Sequence, residues 1–370
     1  MRHSSAAALG AALALKADAA KETAKGEWRN RQSRMAYRRL GRTNCMISEV
    51  VCGGNTISPT NNRHVELAID MGLNYLDTAP AYGRGLSEQG YSSAIAGSKR
   101  DRVFLATKVS PWDINRNRLF REIFDSLDET EKNKLLAEAR EEIERRKADA
   151  PDYFLSYFGG QKKELEDAAL SNVMERRYGR KIDRKKNYHD LIIQSVEESL
   201  GRLQTDHVDV LLCPHGANTP YELLSFPEIF EAFEKLKKAG KARHLGVSAH
   251  TDPAGILKAA IDAKVYSMAM IAYNICNHAH TDKVLEEARH KDVGVIAMKV
   301  ARPVWNGRSP RVPDDPARQA LVQKAVPGDL KIPQKAYLWA LQNPAVAAVN
   351  SELINADLVR ENLPLAGRKL

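Results

Sequence analysis

From Ile47 onward, short β-branched runs alternate with amphipathic helical stretches, and this alternation restricts the chain to a parallel sheet wrapped by helices. Eight runs read as strands: 49–53, 74–78, 103–109, 208–213, 242–248, 268–273, 294–300 and 345–349. Eight such units predict a closed (β/α)8 TIM barrel of the α/β class rather than an open sheet. Helix-end chemistry agrees. Thr251-Asp252-Pro253 places a capping side chain before a proline at the first helical position, and residues 227–239 close on Gly240 as a stop. At 370 residues and 43% apolar, the chain has ample material for one large core.

The pattern breaks between the third and fourth strands. Residues 111–187 stand where a connection of roughly two to six residues is usual. Within them, Asp128-Glu129-Thr130-Glu131 opens a capped helix whose Leu135, Leu136, Ala139 and Ile143 share a face. A second helix is expected over 163–177, with Tyr153, Phe154, Tyr157 and Phe158 before Gly159-Gly160 between the two. Acids and bases nearly balance, so the segment reads as a folded helical insertion. Following a strand, it should rise from the C-terminal face of the barrel as a lid or substrate-selecting wall; an oligomer contact is the alternative. The expected organisation is a leader or flexible basic tail over 1–34 and a barrel over 35–370, interrupted by the 111–187 insertion.

The net charge of +9 is concentrated at one end, since residues 1–44 carry ten Lys/Arg against three acids. A basic tail before a near-neutral body does not match a groove-binding domain, so nucleic acid is not an expected partner. No apolar run reaches the roughly 18 residues of a membrane span, so no membrane insertion is expected. Arg2-His3-Ser4-Ser5, the apolar stretch from Ala6 to Leu15 and Ala17-Asp18-Ala19 resemble the tail of a twin-arginine export signal without its arginine pair. Two locations follow: cytoplasmic as written, or periplasmic after export of the folded protein. A disordered Ala/Lys-rich tail is the other reading of the same residues. Cys45, Cys52, Cys213 and Cys276 lack C-x-x-C spacing and are expected as free, mostly buried thiols with no zinc or iron–sulfur role.

Titratable residues gather at three successive strand ends. The second strand delivers Asp77, with Tyr82 five residues on, the third ends in Lys108, and the fourth leads to His215. Singly, these suit a loop cap, a rim aromatic, a solvent-facing strand end and a packed imidazole. Together they describe a proton-transfer site. A phenol of ordinary pKa about 10 donates a proton more readily when a nearby cation stabilises its phenolate, a role open to Lys108. Asp77 would hold that ammonium, and His215 would hydrogen-bond a carbonyl oxygen.

That quartet, in that order, resembles the aldo-keto reductases. Arg38-Arg39-Leu40-Gly41-Arg42-Thr43, the stretch from Gly240 to Ser248 and Arg360-Glu361-Asn362 extend the resemblance over most of the chain from about Met35. It implies hydride transfer between a nicotinamide cofactor and a small carbonyl or alcohol, possibly sugar-derived, with Asp77, Tyr82, Lys108 and His215 catalytic and Tyr82 as the proton donor. NADP(H) is the implied cofactor, with NAD(H) not excluded. Ser248 corresponds to the serine that holds the carboxamide, and Asn350, Ser351, Glu361 and Asn362 to residues at the adenosine end. Lys299 and Arg302 follow the seventh strand, where barrels of this kind bind phosphate. The chain also departs from the family: His215 stands six residues after Asp209 rather than five, and Ala249, Met270 and Met298 replace expected cofactor contacts. These departures motivate a second reading, a nucleotide-binding or sensing barrel without turnover. His215, His250, Cys276, His278 and His280 after strands four to six motivate a third, a metal-dependent barrel hydrolase. No metal site is expected on the first reading, and the oligomeric state is not encoded in any feature of the sequence.

Overall fold

The computed structural model describes residues 26–305 and 315–370. Eight strands close into a parallel barrel: β1 (Val50–Gly53), β2 (Tyr75–Asp77), β3 (Phe104–Lys108), β4 (Val208–Leu212), β5 (Ala242–Ala249), β6 (Met268–Ala272), β7 (Gly294–Met298) and β8 (Ala348–Ser351). Closure runs through β8, where Val349 registers with Val50. Seven strands lie where the apolar runs place them, and the eighth is displaced from 345–349 to Ala348–Ser351. There Val346 N–H closes a turn onto Asn343 O at 3.1 Å, and Ala347 N–H already bonds Val295 O of β7 at 2.8 Å. A turn that buries its own apolar side chains has the same composition as a strand.

The period of two fixes what faces inward. Tyr75, Phe104, Ala106, Val210, Leu212, Met268, Met270, Ile296, Met298 and Ala348 fill the barrel interior. Their neighbours Leu76, Leu105, Leu211, Ala269, Val295, Ala297 and Val349 pack against the surrounding helices. By the same alternation Asp77 follows Tyr75, Lys108 follows Ala106 and Asn350 follows Ala348 onto the inner face. The strand ends of the sequence reading therefore converge on one mouth.

The opposite end is closed by a small sheet absent from the sequence reading, with Cys45–Ser48 between Glu27–Trp28 (parallel) and Tyr37–Arg39 (antiparallel). Leu40, Cys45 and Ile47 plug the barrel floor. The tail boundary at residue 34 is thereby corrected. Asn30 Nδ2 donates to Leu73 O at 3.0 Å, and Arg29 pairs at 2.9 Å with the fully buried Asp209 of β4. Arg29, read as part of a basic tail, belongs instead to the body, because its buried counter-ion arrives from a strand 180 residues away. Residues 1–25, with the leader reading, lie outside the described residues.

Between β3 and β4 the chain forms helices Pro111–Asp125, Glu129–Arg146 and Gln161–Tyr178 before the barrel helix Leu191–Leu203. Asp128 caps the second of these through Glu131 N–H at 2.9 Å. Leu135, Ala139 and Ile143 join Phe120, Phe124, Leu165, Ala169 and Val173 in a core separate from that of the barrel, while Leu136 is turned out and 43% exposed. Among the described residues no helix is long and apolar enough to cross a membrane.

Candidate active site

At the barrel mouth, Lys108 Nζ donates to Asp77 Oδ1 at 2.5 Å and to Thr78 O at 2.8 Å. Both charged side chains are 1% exposed. The same ammonium lies 4.7 Å from the centre of the Tyr82 ring. Tyr82 reaches it through a tight turn in which Gly83, Arg84 and Gly85 all adopt positive φ (58°, 55° and 89°). Two glycines make that left-handed run possible at little steric cost.

His215 completes the group. Its ring meets Tyr82 edge-on at 5.7 Å between centroids, and its Nδ1 lies 2.7 Å from Ser110 Oγ. The extra residue before it is absorbed because the chain beyond β4 stays paired to β5: Cys213 N–H bonds Gly246 O, Ser248 N–H bonds Pro214 O, and Ala217 N–H bonds Ser248 O, at 2.9, 3.2 and 3.0 Å. Asp113 adds a second hold by accepting Gly216 N–H at 3.0 Å.

The electrostatics follow from burial and one cation. Burial raises the Tyr82 phenol, and Lys108 opposes the rise. For Lys108 itself burial acts downward, but Asp77 and Tyr82 outweigh it and the ammonium titrates above its usual value. Burial raises Asp77, with Lys108 and the Asn350 amide opposing. Burial, then the charge of Lys108, then His250, hold His215 well below 6.5, so the imidazole is neutral at pH 7. The arrangement offers a protonated phenol beside a cation and a neutral imidazole around one space, the equipment for protonating an oxygen.

The residues expected to hold a cofactor divide into two groups. Ser248 is 1% exposed at the inner end of β5, and Asn350 lies at the inner end of β8. The Asn350 Oδ1 is buried with no hydrogen-bond partner, while its amide nitrogen serves the Asp77 carboxylate and lies 3.6 Å from the Met270 sulfur. A buried, poorly matched amide at the mouth suits a ligand carrying its own amide. Lys299, at φ 56°, directly follows β7 and Arg302 lies three residues on. Ser351 and Asn362, by contrast, bond each other at 3.1 Å and join the last helix to β8. Glu361 pairs with Lys331 at 2.6 Å. Of the substituted positions, Met270 and Met298 fill the barrel interior and Ala249 faces the helix layer.

Two histidines of the metal reading, His278 and His280, are engaged elsewhere. His278 pairs with Asp282 at 2.7 Å and His280 with Asp152 at 2.9 Å. Among the described residues no group of three or more His, Cys, Asp or Glu could hold a metal ion.

Ser110 and Asp113 were not singled out by the sequence, and His250 was named only in the metal reading, whereas the aromatic segment was expected over this face without its partners. After helix Glu129–Arg146 the chain runs over the ends of β5 and β6. Arg146 pairs with Asp252 at 2.5 Å, Tyr153 donates to Asp252 at 2.8 Å, and Tyr157 accepts from Asn274 at 2.9 Å. Phe158 meets His250 edge-on at 5.3 Å. The aromatic cluster before Gly159-Gly160 was the available signal, but its target lies about 90 to 120 residues away in sequence.

The sequence pattern of the Aldo/keto reductase family matches residues 52–156 and 157–366. The uncharacterized oxidoreductase YqkF of Bacillus subtilis is 24% identical over 357 residues, 90% of this chain and 92% of that protein. Among solved structures, the holo aldo-keto reductase AKR11C1 from Bacillus halodurans superposes with a TM-score of 0.59 at 21% identity, over 90% of this chain and 92% of that one. An aldo-keto reductase from Klebsiella pneumoniae in complex with NADPH gives 0.57 at 18% identity, over 91% of each chain. At these identities the structures establish the barrel fold.

Proposed function

Because the chain belongs to the aldo/keto reductase family, we propose that Asp77, Tyr82, Lys108 and His215 form its reacting site for a carbonyl or alcohol substrate. The protein is an oxidoreductase that moves a hydride between a nicotinamide cofactor and that substrate. The observation that carries the site assignment is the position of Lys108, fixed at 2.5 Å by Asp77 and 4.7 Å from the Tyr82 ring. NADP(H), which accompanies the Klebsiella relative as NADPH, supplies the hydride when bound. Ser248 is proposed to hold its nicotinamide end, together with Asn350, which sits at the mouth beside Asp77 rather than at the adenosine end the resemblance implied. Lys299 and Arg302 are proposed to hold its phosphates and Glu361 its adenosine end. Ser351 and Asn362 are proposed to shape that end through their mutual bond.

The protein's own part is proton handling. Tyr82 gives its phenolic proton to the developing alkoxide, Lys108 stabilises the phenolate left behind, and Asp77 keeps the ammonium charged and in place. His215 aligns the carbonyl oxygen by hydrogen bonding. In the oxidising direction Tyr82 takes the proton back. NADPH is expected to quench tryptophan fluorescence saturably, Trp305 being partly exposed three residues beyond Arg302. Titration of the purified chain with NADPH and NADH measures this, and failure of both to bind would overturn the cofactor assignment.

The 111–187 segment is proposed to be a substrate-selecting wall, on the support of the Tyr157 and Phe158 contacts at the mouth. Phe158→Ala is then expected to raise KM for the carbonyl by about tenfold with little change in cofactor affinity. An unchanged KM across a panel of polar and aromatic aldehydes would remove the wall reading and leave the segment structural.

A further inference from the structure

We propose that Ser110 is a positioning residue that locks the His215 imidazole in its Nε2-protonated tautomer, so that the ring presents an N–H donor for the substrate oxygen. The proposal rests on the assignment of Tyr82 and His215 to the reacting site.

Ser110 stands at the N-cap of helix Pro111–Asp125, two residues beyond Lys108. A serine there ordinarily turns its oxygen onto a backbone N–H of the first helical turn. This one makes no capping bond. Its hydroxyl instead receives the Ala81 N–H at 3.3 Å and faces His215 Nδ1 at 2.7 Å.

A hydroxyl has one proton to donate. With Ala81 N–H supplied to the oxygen, the matching arrangement sends the hydroxyl proton to Nδ1. The reverse arrangement, with Nδ1–H donating to Ser110, would give the oxygen two incoming donors and leave its own proton facing no acceptor at a position only 8% exposed. His215 is neutral because burial, Lys108 and His250 all disfavour its charged form. A neutral ring carries one proton, and a bare Nδ1 puts that proton on Nε2.

The same hydroxyl therefore links the two reacting groups. Ala81 immediately precedes Tyr82, so Ser110 ties the backbone that carries the phenol to the imidazole beside it. Asp113, from the same helix start, holds the residue after His215 through Gly216 N–H at 3.0 Å. His215 transfers no proton in this scheme; it donates a hydrogen bond to the oxygen that Tyr82 protonates.

The test is imidazole 15N NMR of the full chain, with His215 assigned from the signal lost in His215→Asn. The expected wild-type spectrum shows a protonated Nε2 and a bare Nδ1. Ser110→Ala should give a mixture of tautomers and a fall in kcat of about tenfold with unchanged NADPH affinity. Ser110→Thr, which keeps the hydroxyl, should restore both. A wild-type proton on Nδ1, or an unchanged tautomer in Ser110→Ala, would overturn the proposal. Full turnover by Tyr82→Phe would defeat the site assignment instead, and the tautomer measurement does not depend on turnover.

Discussion

Tyr82→Phe should lower kcat for carbonyl reduction by about 10³-fold while leaving NADPH binding within a few-fold of the native protein. The substitution removes one oxygen and keeps the ring that Lys108 and His215 pack against. Cofactor affinity should therefore persist while the proton source is gone. Rapid-mixing turnover with a simple aldehyde, alongside fluorescence titration, separates the two effects, and a fall smaller than about threefold would exclude Tyr82 as the donor.

The pH profile of the native enzyme follows from the same geometry. Burial holds the Tyr82 phenol above its usual 10.0, and Lys108 is raised above 10.5. Both are protonated through neutral pH. Reduction, which needs the phenol, should stay level and fall only as pH exceeds about 10, whereas oxidation, which needs the phenolate, should rise with pH. His215 titrates well below 6.5, so no inflection is expected near that value. Asp113, pushed up to about 8 by burial and Glu222, is the other group beside the site that titrates in this range. An inflection near 6.5 that persists in Asp113→Asn would therefore show a charged imidazole in the working site.

The second large effect is on stability. Asp209 is 0% exposed and pairs with Arg29, Arg100 and Arg243 at 2.9, 3.1 and 2.7 Å, while also accepting Leu105 N–H at 2.9 Å. Burial works against its charge, but Arg100 and Arg29 hold the carboxyl below its usual pKa. Asp209→Asn keeps the shape and removes the one anion that all three contact among the described residues, leaving Glu27 on Arg29 and Arg243 alone. With three guanidiniums then facing a neutral amide, the expected loss is about 3–5 kcal/mol. A drop in Tm of about 4–6 °C would register it. Turnover at low temperature should be little changed, because the cluster lies at the barrel floor. A Tm within about 1 °C of the native value would mean that the arginines are sufficiently solvated without their anion.

Much of this molecule was legible in the sequence for a local reason. Alternation of apolar residues within a few positions specifies a strand and its inward face, so the barrel and the order of Asp77, Tyr82, Lys108 and His215 could be read without contacts. The limits were local as well. Val346 looked like strand because buried turn and buried strand share a composition, and Leu136 looked buried because helical spacing does not say how wide the covered face is. Arg29 looked solvated because its buried partner, Asp209, lies 180 residues away.

The amino-acid sequence by itself determined the βα order, the four strand-end groups, the helical content of residues 111–187 and the family resemblance. Only the tertiary structure decided that Gly26 to Arg34 belong to the body, that Asp209 gathers three arginines, that Tyr157 and Phe158 cross the mouth and that Ser110 meets His215. Those contacts join residues roughly 30 to 180 positions apart. Hydrophobic periodicity acts over one or two turns of chain, whereas these pairings arise when barrel closure brings distant strand ends to a common rim and floor.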